Sequence, residues 1–315
     1  MTSARWQALP TSRDELGESP FWHPDEQMLY WVDVPGRQLR RARNGSGAVE
    51  SWAMPSEPGC IAPALAGGLV IALRDGIYRA RQWGGALARL APAEHDTATT
   101  RFNDGKADPL GRFWAGTIYE PRDAARAALY SLDARPQAEV GAASAPAPAL
   151  VRRAGDAVTA NGLAFSPDAR TLYWADTPGH VVRAWDWDAA SGVLDRPREF
   201  LRLPGKPAGW QPGQPGYAGR PDGAAMDSQG NYWCALFEGG ALLQLSPQGR
   251  VLRSLDLPVR CPTMPCFGGA DLRTLFVTSA RANRPAAELR EFPLSGQVLW
   301  TRVEVPGQPV NFFID

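Results

Sequence analysis

Four residues in this chain carry side-chain oxygens and stand at one fixed distance from a turn. Glu18 precedes Asp25 by seven residues, Asn103 precedes Leu110, Asn161 precedes Asp168, and Asp222 precedes Gln229 by the same interval. Cys60 and Met264 hold the equivalent offset before Gly67 and Asp271 and bring no oxygen. Carboxylates that converge out of water repel each other and resist desolvation unless a cation or protons compensate. A metal ion is the simplest resolution. Two carboxylates and one or two amide carbonyls form an all-oxygen set, which suits calcium, magnesium or manganese better than zinc, with zinc and ferrous iron left open. Such a metal, with open positions, can polarise a carbonyl or activate a water.

Neighbouring residues extend this reading. Arg101 lies two positions before Asn103, on the same strand face, where a guanidinium could meet a substrate hydroxyl or carboxylate or form a surface ion pair. Asn161-Gly162 and Asp222-Gly223, taken singly, read as turns; sharing one register makes them site candidates. Asn103 reads equally as a water anchor or a turn former. Asp33, Asp104 and Asp176 read as bonds between strand ends, with Asp176 also a candidate for the mouth. His23, His95 and His180 carry no argument for chemistry.

The elements that would position these residues repeat. Glu18-Ser-Pro-Phe-Trp-His-Pro-Asp25 runs into Met28-Leu-Tyr-Trp-Val-Asp33, and Asn161-Gly-Leu-Ala-Phe-Ser-Pro-Asp168 into Thr171-Leu-Tyr-Trp-Ala-Asp176. Each is a strand, a polar turn and a second strand rich in aromatic and β-branched residues. Four weaker copies bring the turns to positions 25, 67, 110, 168, 229 and 271, spaced by 42, 43, 58, 61 and 42 residues. A period near 42 suffices for a four-stranded blade, and radial repetition of blades leaves only short edges. The expectation is an all-β, six-bladed β-propeller of antiparallel blades over residues 1–315 as one domain, with third strands near 76–78, 128–132, 182–187 and 241–245. No helical periodicity of the α/β kind is present. Two insertions, Ala134–Pro148 and Pro204–Pro221, explain the long spacings. The second runs into Asp222 and offers Trp210 and Tyr217 either to a substrate or to a surface excursion.

Composition narrows the partners. Lysine plus arginine and aspartate plus glutamate number 33 each, so neither nucleic acid nor an anionic membrane has an electrostatic footprint here. A small molecule is the expected partner, with no obligatory protein partner evident. The N-terminus lacks an apolar h-region and no apolar run approaches a membrane span, which points to the cytoplasm. Cys60, Cys234, Cys261 and Cys266 read as reduced, buried thiols. Serine-hydrolase elbows, zinc-peptidase motifs and nucleotide-binding glycine loops are missing.

Five ordered motifs resemble the SMP-30/gluconolactonase family, which includes regucalcin and bacterial sugar-lactone hydrolases. They are Leu16-Gly-Glu18-Ser-Pro, Arg101-Phe-Asn103-Asp-Gly-Lys-Ala-Asp108, Asn161-Gly-Leu-Ala-Phe-Ser-Pro-Asp168, Arg220-Pro-Asp222-Gly and Phe267-Gly-Gly-Ala-Asp271 with its following strand. The resemblance implies one divalent metal held by Glu18, Asn161 and Asp222, with Arg101 and Asn103 on the substrate. In Gly116-Thr-Ile-Tyr119-Glu120-Pro121, proline stands where some members place an acidic contact, which leaves Glu120 as the substrate contact to examine. The implied activity is metal-dependent opening of an aldonolactone, with Asp222 also as general base. A propeller esterase or phosphotriesterase, or a non-catalytic calcium- or ligand-binding propeller, remains as the alternative.

Overall fold

The computed structural model describes residues 5–10, 12–43, 48–136 and 147–315. Six antiparallel sheets of four strands form six blades around a channel, so the chain is a six-bladed β-propeller. The innermost strands are Gly17–His23, Pro58–Pro63, Thr100–Ala107, Ala160–Phe165, Arg220–Met226 and Pro262–Gly268, in blades 1 to 6. Five of them are buried along their length or nearly so, and Arg220–Met226 has two half-buried positions, whereas an outermost strand such as Val251–Asp256 is largely exposed. That gradient is what the sequence writes as apolar first and second strands and mixed fourth strands. The third strands include Gly76–Ala80, Ala127–Leu132, Val181–Asp188 and Ala241–Leu245, at the expected positions.

Blade 6 closes the ring in a way the repeats do not announce. Its outer strand is Gln7–Ala8 from the N-terminus, paired with Leu299–Arg302 from near the C-terminus. Between Thr274–Ser279 and Leu299–Arg302 the chain also forms one short helix, Ala286–Glu291, for which the sequence has no periodic signal. Thr263 Oγ1 donates to Gly17 O at 2.6 Å, tying blade 6 to blade 1.

Three indole–carboxylate bonds fasten the second strands. Trp31, Trp114 and Trp233 are fully buried, and their Nε1 atoms donate to Asp14, Asp108 and Asp227 at 2.8, 2.9 and 2.9 Å. Among the described residues Asp227 forms no ion pair, yet it also accepts from Gln229 N, Asn231 N, Asn231 Nδ2 and Gln244 Nε2. Removing it would orphan several buried donors at about 1–3 kcal/mol each. Asp227→Ala is therefore expected to cost at least about 3 kcal/mol, read as a drop in the denaturant midpoint. An unchanged midpoint would refute this account of the lock.

The C-terminal tail crosses the channel at the ends of the inner strands. Gly307 bridges to Asp227, Asn311 Nδ2 donates to Ala107 O at 3.1 Å, Phe313 bridges to Ala64, and Asp315 pairs with Arg79 at 3.0 Å. Between these strands and Gln308–Asn311 lies a cavity of about 110 Å³ that Lys106, Met264 and Pro265 also line. All four cysteines are free and buried. Among the described residues no helix is long and apolar enough to cross a membrane. Of the Ala134–Pro148 insertion, residues 137–146 lie outside the described residues.

Candidate active site

Every inner strand breaks register once, and the candidate residues gather at those breaks. Two residues face one across the breaks after Glu18, Asn161, Phe102, Pro221 and Pro262, and a shift also separates Pro58 from Cys60. A β-bulge re-aims side chains, and here it does so at one mouth of the channel. The equal offset does not give equal registers, however. Glu18 and Asn161 still pair with Val32 and Ala175 just before their bulges, whereas Asn103, Asp222 and Met264 sit inside theirs. In blades 1 and 4 the first bulge residue, Ser19 or Gly162, has φ of 49° or 61°. A Cβ on Gly162 would also stand 2.3 Å from the Tyr232 hydroxyl, which donates to Gly162 O at 2.7 Å. The glycine is required by both shape and backbone.

Cys60 and Met264 take part as packing. A Cβ on Gly105 would meet Cys60 Sγ at 2.5 Å, and one on Gly223 would meet Met264 Cβ at 2.4 Å. Each apolar side chain thus fills the space beside the neighbouring inner strand, and the ring keeps its oxygens in blades 1, 3, 4 and 5.

A cavity of about 230 Å³ opens at this mouth, lined by Glu18, Arg101, Asn103, Asn161, Asp222 and Arg220 among others. Glu18 and Asp222 are buried, and among the described residues neither forms an ion pair. Glu18 Oε2 accepts from Ser19 N at 3.3 Å. Burial is the main force pushing both carboxyls up; Asp222 and Asp104 push Glu18 well above the carboxylate range, and Asp222 rises to about 8 despite the lowering effect of Arg220. Asp104 adds a third buried carboxyl, also raised by burial, with Oδ2 accepting from Leu163 N at 2.7 Å and Oδ1 without a hydrogen-bond partner among the described residues.

A chain of amides organises the floor. Arg101 Nη1 donates to Asn103 Oδ1 at 3.0 Å and to Phe102 O at 2.9 Å. Asn103 Nδ2 donates to Asn161 Oδ1 at 2.9 Å and to Ala160 O at 3.0 Å. Asn161 Nδ2 donates to Thr177 Oγ1 at 2.8 Å, which holds its carbonyl oxygen toward Asn103. Both N–H groups of Asn103 are consumed, so it serves first to position Asn161 and has only oxygen capacity left for a substrate. Glu120 lies at the rim, exposed, bonded to Arg74 at 2.9 and 3.1 Å and 3.5 Å from Arg101 Nε; it does not line the cavity.

Trp210 and Tyr217 do not line the cavity either. Both are buried within the Pro204–Pro221 loop, where Trp210 Nε1 donates to Gln214 O and the Tyr217 hydroxyl lies 2.6 Å from His180 Nε2. Asp176 turns away from the mouth to accept from Val158 N and Thr159 N, as Asp33 does from Glu15 N and Leu16 N. Thr177 went unread in the sequence, and Arg220 entered only as part of the Arg220-Pro-Asp222-Gly motif, without a role. Arg220 had a signal, since it precedes Asp222 by two residues as Arg101 precedes Asn103.

The residues present fit a divalent cation. Among the described residues the two buried carboxylates have no ionic partner and one oxygen of Asp104 has no hydrogen-bond partner, and the Asn161 amide lines the same cavity with its Oδ1 turned to Asn103. Among the described residues no three His, Cys, Asp or Glu side chains gather as a metal cage. The fit therefore rests on two carboxylates and an amide, a hard-oxygen set.

A propeller with buried acids and amides at one mouth defines the class, and residues 16–281 match the SMP-30/Gluconolactonase/LRE-like region. The chain belongs to that family. It is 46% identical to a 6-deoxy-6-sulfogluconolactonase of Pseudomonas putida, over 93% of this chain and 92% of that one. It is 33% identical to regucalcin of Danio rerio, over 94% and 93%. The solved structure of a calcium-binding protein, regucalcin, from Agrobacterium tumefaciens superposes with a TM-score of 0.86 at 24% identity, covering 99% of both chains, a likeness of fold.

Proposed function

We propose that this sugar lactonase opens an aldonolactone to its aldonic acid at the mouth lined by Glu18, Arg101, Asn103, Asn161 and Asp222. The observation that carries the reading is the pair of buried carboxyls, Glu18 and Asp222, without an ion-pair partner beside an oriented amide. The lactonase class follows from family membership and from the 46% identity to a sugar-lactone hydrolase. Glu18, Asn161 and Asp222 would hold one divalent ion, calcium by ligand type, and when bound it supplies Lewis-acid polarisation and a lowered water pKa.

The chain's own residues supply the rest. Arg101, held by Asn103 and Phe102, keeps guanidinium N–H groups for a ring hydroxyl or the developing oxyanion. Asp222 takes a proton from the attacking water as the new C–O bond forms, and returns it to the ring oxygen as the ester bond breaks. A base placed this way contributes about 10²–10⁴-fold. As a cation ligand Asp222 is a weaker base, so positioning carries much of the work.

Proton release from five- and six-membered aldonolactones, with spontaneous opening subtracted, tests the reading. The cation-loaded protein is expected to accelerate at least one aldonolactone well above an aryl ester, a phosphotriester and a non-sugar lactone. Equal or greater activity on those three would overturn the sugar-lactone assignment.

A further inference from the structure

The rim of the cavity carries more guanidinium charge than its carboxylates neutralise. Glu238 receives Lys206 Nζ at 2.7 Å and Arg284 Nη1 at 2.8 Å, and Arg220 Nη2 stands farther off at 3.5 Å. Arg284 is satisfied again by Glu288, through two contacts of 2.7 Å. One carboxylate is thus shared by three cations, and Arg220 has the poorest share. Its Nε is buried without a hydrogen-bond partner among the described residues. Its guanidinium lies 5.2 Å from the centre of the Phe237 ring, which braces it in place. Arg122 lines the same cavity, is exposed, and forms no ion pair among the described residues.

Position adds meaning to this surplus. Arg220 and Asp222 share one strand, two residues apart, so their Cα atoms are separated by roughly 6.6 Å. That is comparable with the reach from a lactone carbonyl, across the sugar ring, to a substituent on its exocyclic carbon. A planar guanidinium there can take two oxygens of an anion at once.

We propose that Arg220, with Arg122, selects aldonolactones bearing an anionic group on the exocyclic carbon, a sulfonate or a phosphate, over their neutral hydroxyl counterparts. This rests on the lactonase reading and specifies its substrate class. Arg220 acts on binding, so the preference appears chiefly in KM.

The test compares glucono-1,5-lactone with its 6-deoxy-6-sulfo and 6-phospho forms. The protein is expected to show at least a tenfold higher kcat/KM for a charged lactone, about the value of one well-placed charge-assisted contact. In Arg220→Gln that ratio falls toward unity, Arg220→Lys restores part of it, and added salt erodes it. Arg122→Gln, at an exposed position, gives a second variant should Arg220→Gln not fold. A charged-to-neutral ratio near one in the wild type, or one unchanged in both glutamine variants, overturns the proposal. Calorimetry with the unreactive ring ethers 1,5-anhydroglucitol and its 6-sulfonate decides the same contrast without turnover. Opening of no lactone at all would refute the lactonase reading separately.

Discussion

Asp222→Asn is expected to lower kcat for lactone opening by about 10³-fold or more while the propeller stays folded. Asparagine matches the shape and keeps one oxygen, but it can neither accept the proton nor offer a negative charge. Among the described residues no ion pair depends on the Asp222 carboxylate, so the substitution breaks no such bond there. It removes a buried acid that burial penalises when ionised, so without added cation at pH 8 the variant's thermal midpoint should equal or exceed that of the wild type. Initial rates give the first readout and thermal denaturation the second. Full activity in the variant would dismiss Asp222 as the base. A cation titration of the same variant by calorimetry separates lost proton transfer from lost cation binding.

The second large effect couples cation, proton and stability. In the protein without cation, Glu18 and Asp222 titrate well above the carboxylate range because of burial, while in the unfolded chain they ionise near pH 4. Between those points the folded state holds protons that the unfolded chain has released. Their contribution therefore favours folding least at high pH: stability declines as pH rises from about 4 toward the folded values and then levels off. A cation binds the ionised pair, so it must expel those protons and binds more tightly as pH rises. Adding calcium should thus raise the thermal midpoint more at pH 8 than at pH 6, with proton release measurable in weakly buffered solution. A shift that is flat with pH, or proton uptake on binding, would contradict the assignment of Glu18 and Asp222 to the cation.

How far the sequence could be read depended on whether a feature repeats. The six turns repeat, so blade number and the identity of the inner strands were legible from spacing alone. Glu18, Asn103, Asn161 and Asp222 were legible as a group because they share an offset, although that offset tracks each bulge only to within about a residue. A bulge is one extra residue and leaves no mark on hydrophobic alternation. Gln7–Ala8 was invisible as a strand, since two residues carry no periodicity and their partner lies near the other end of the chain. Trp210 and Tyr217 stayed open between two readings for a related reason: aromatic residues in a long loop look available until a His180 or a Gln214 is seen to hold them. Asn103 lines the cavity, but its donors are committed to partners 57 and 58 residues away, a fact that no local pattern encodes.

The tail that runs from Gly307 to Asp315 beneath the inner strands gives the channel the character of a well. A molecule entering at the acidic mouth has its way out where it came in. Lactone and ring-opened acid would then share a single doorway, and under the proposed assignment the newly charged product would leave past Arg101, Arg122 and Arg220, which line it. Such a vessel suits small free molecules that arrive and depart whole, and is ill suited to a long chain that would have to thread through.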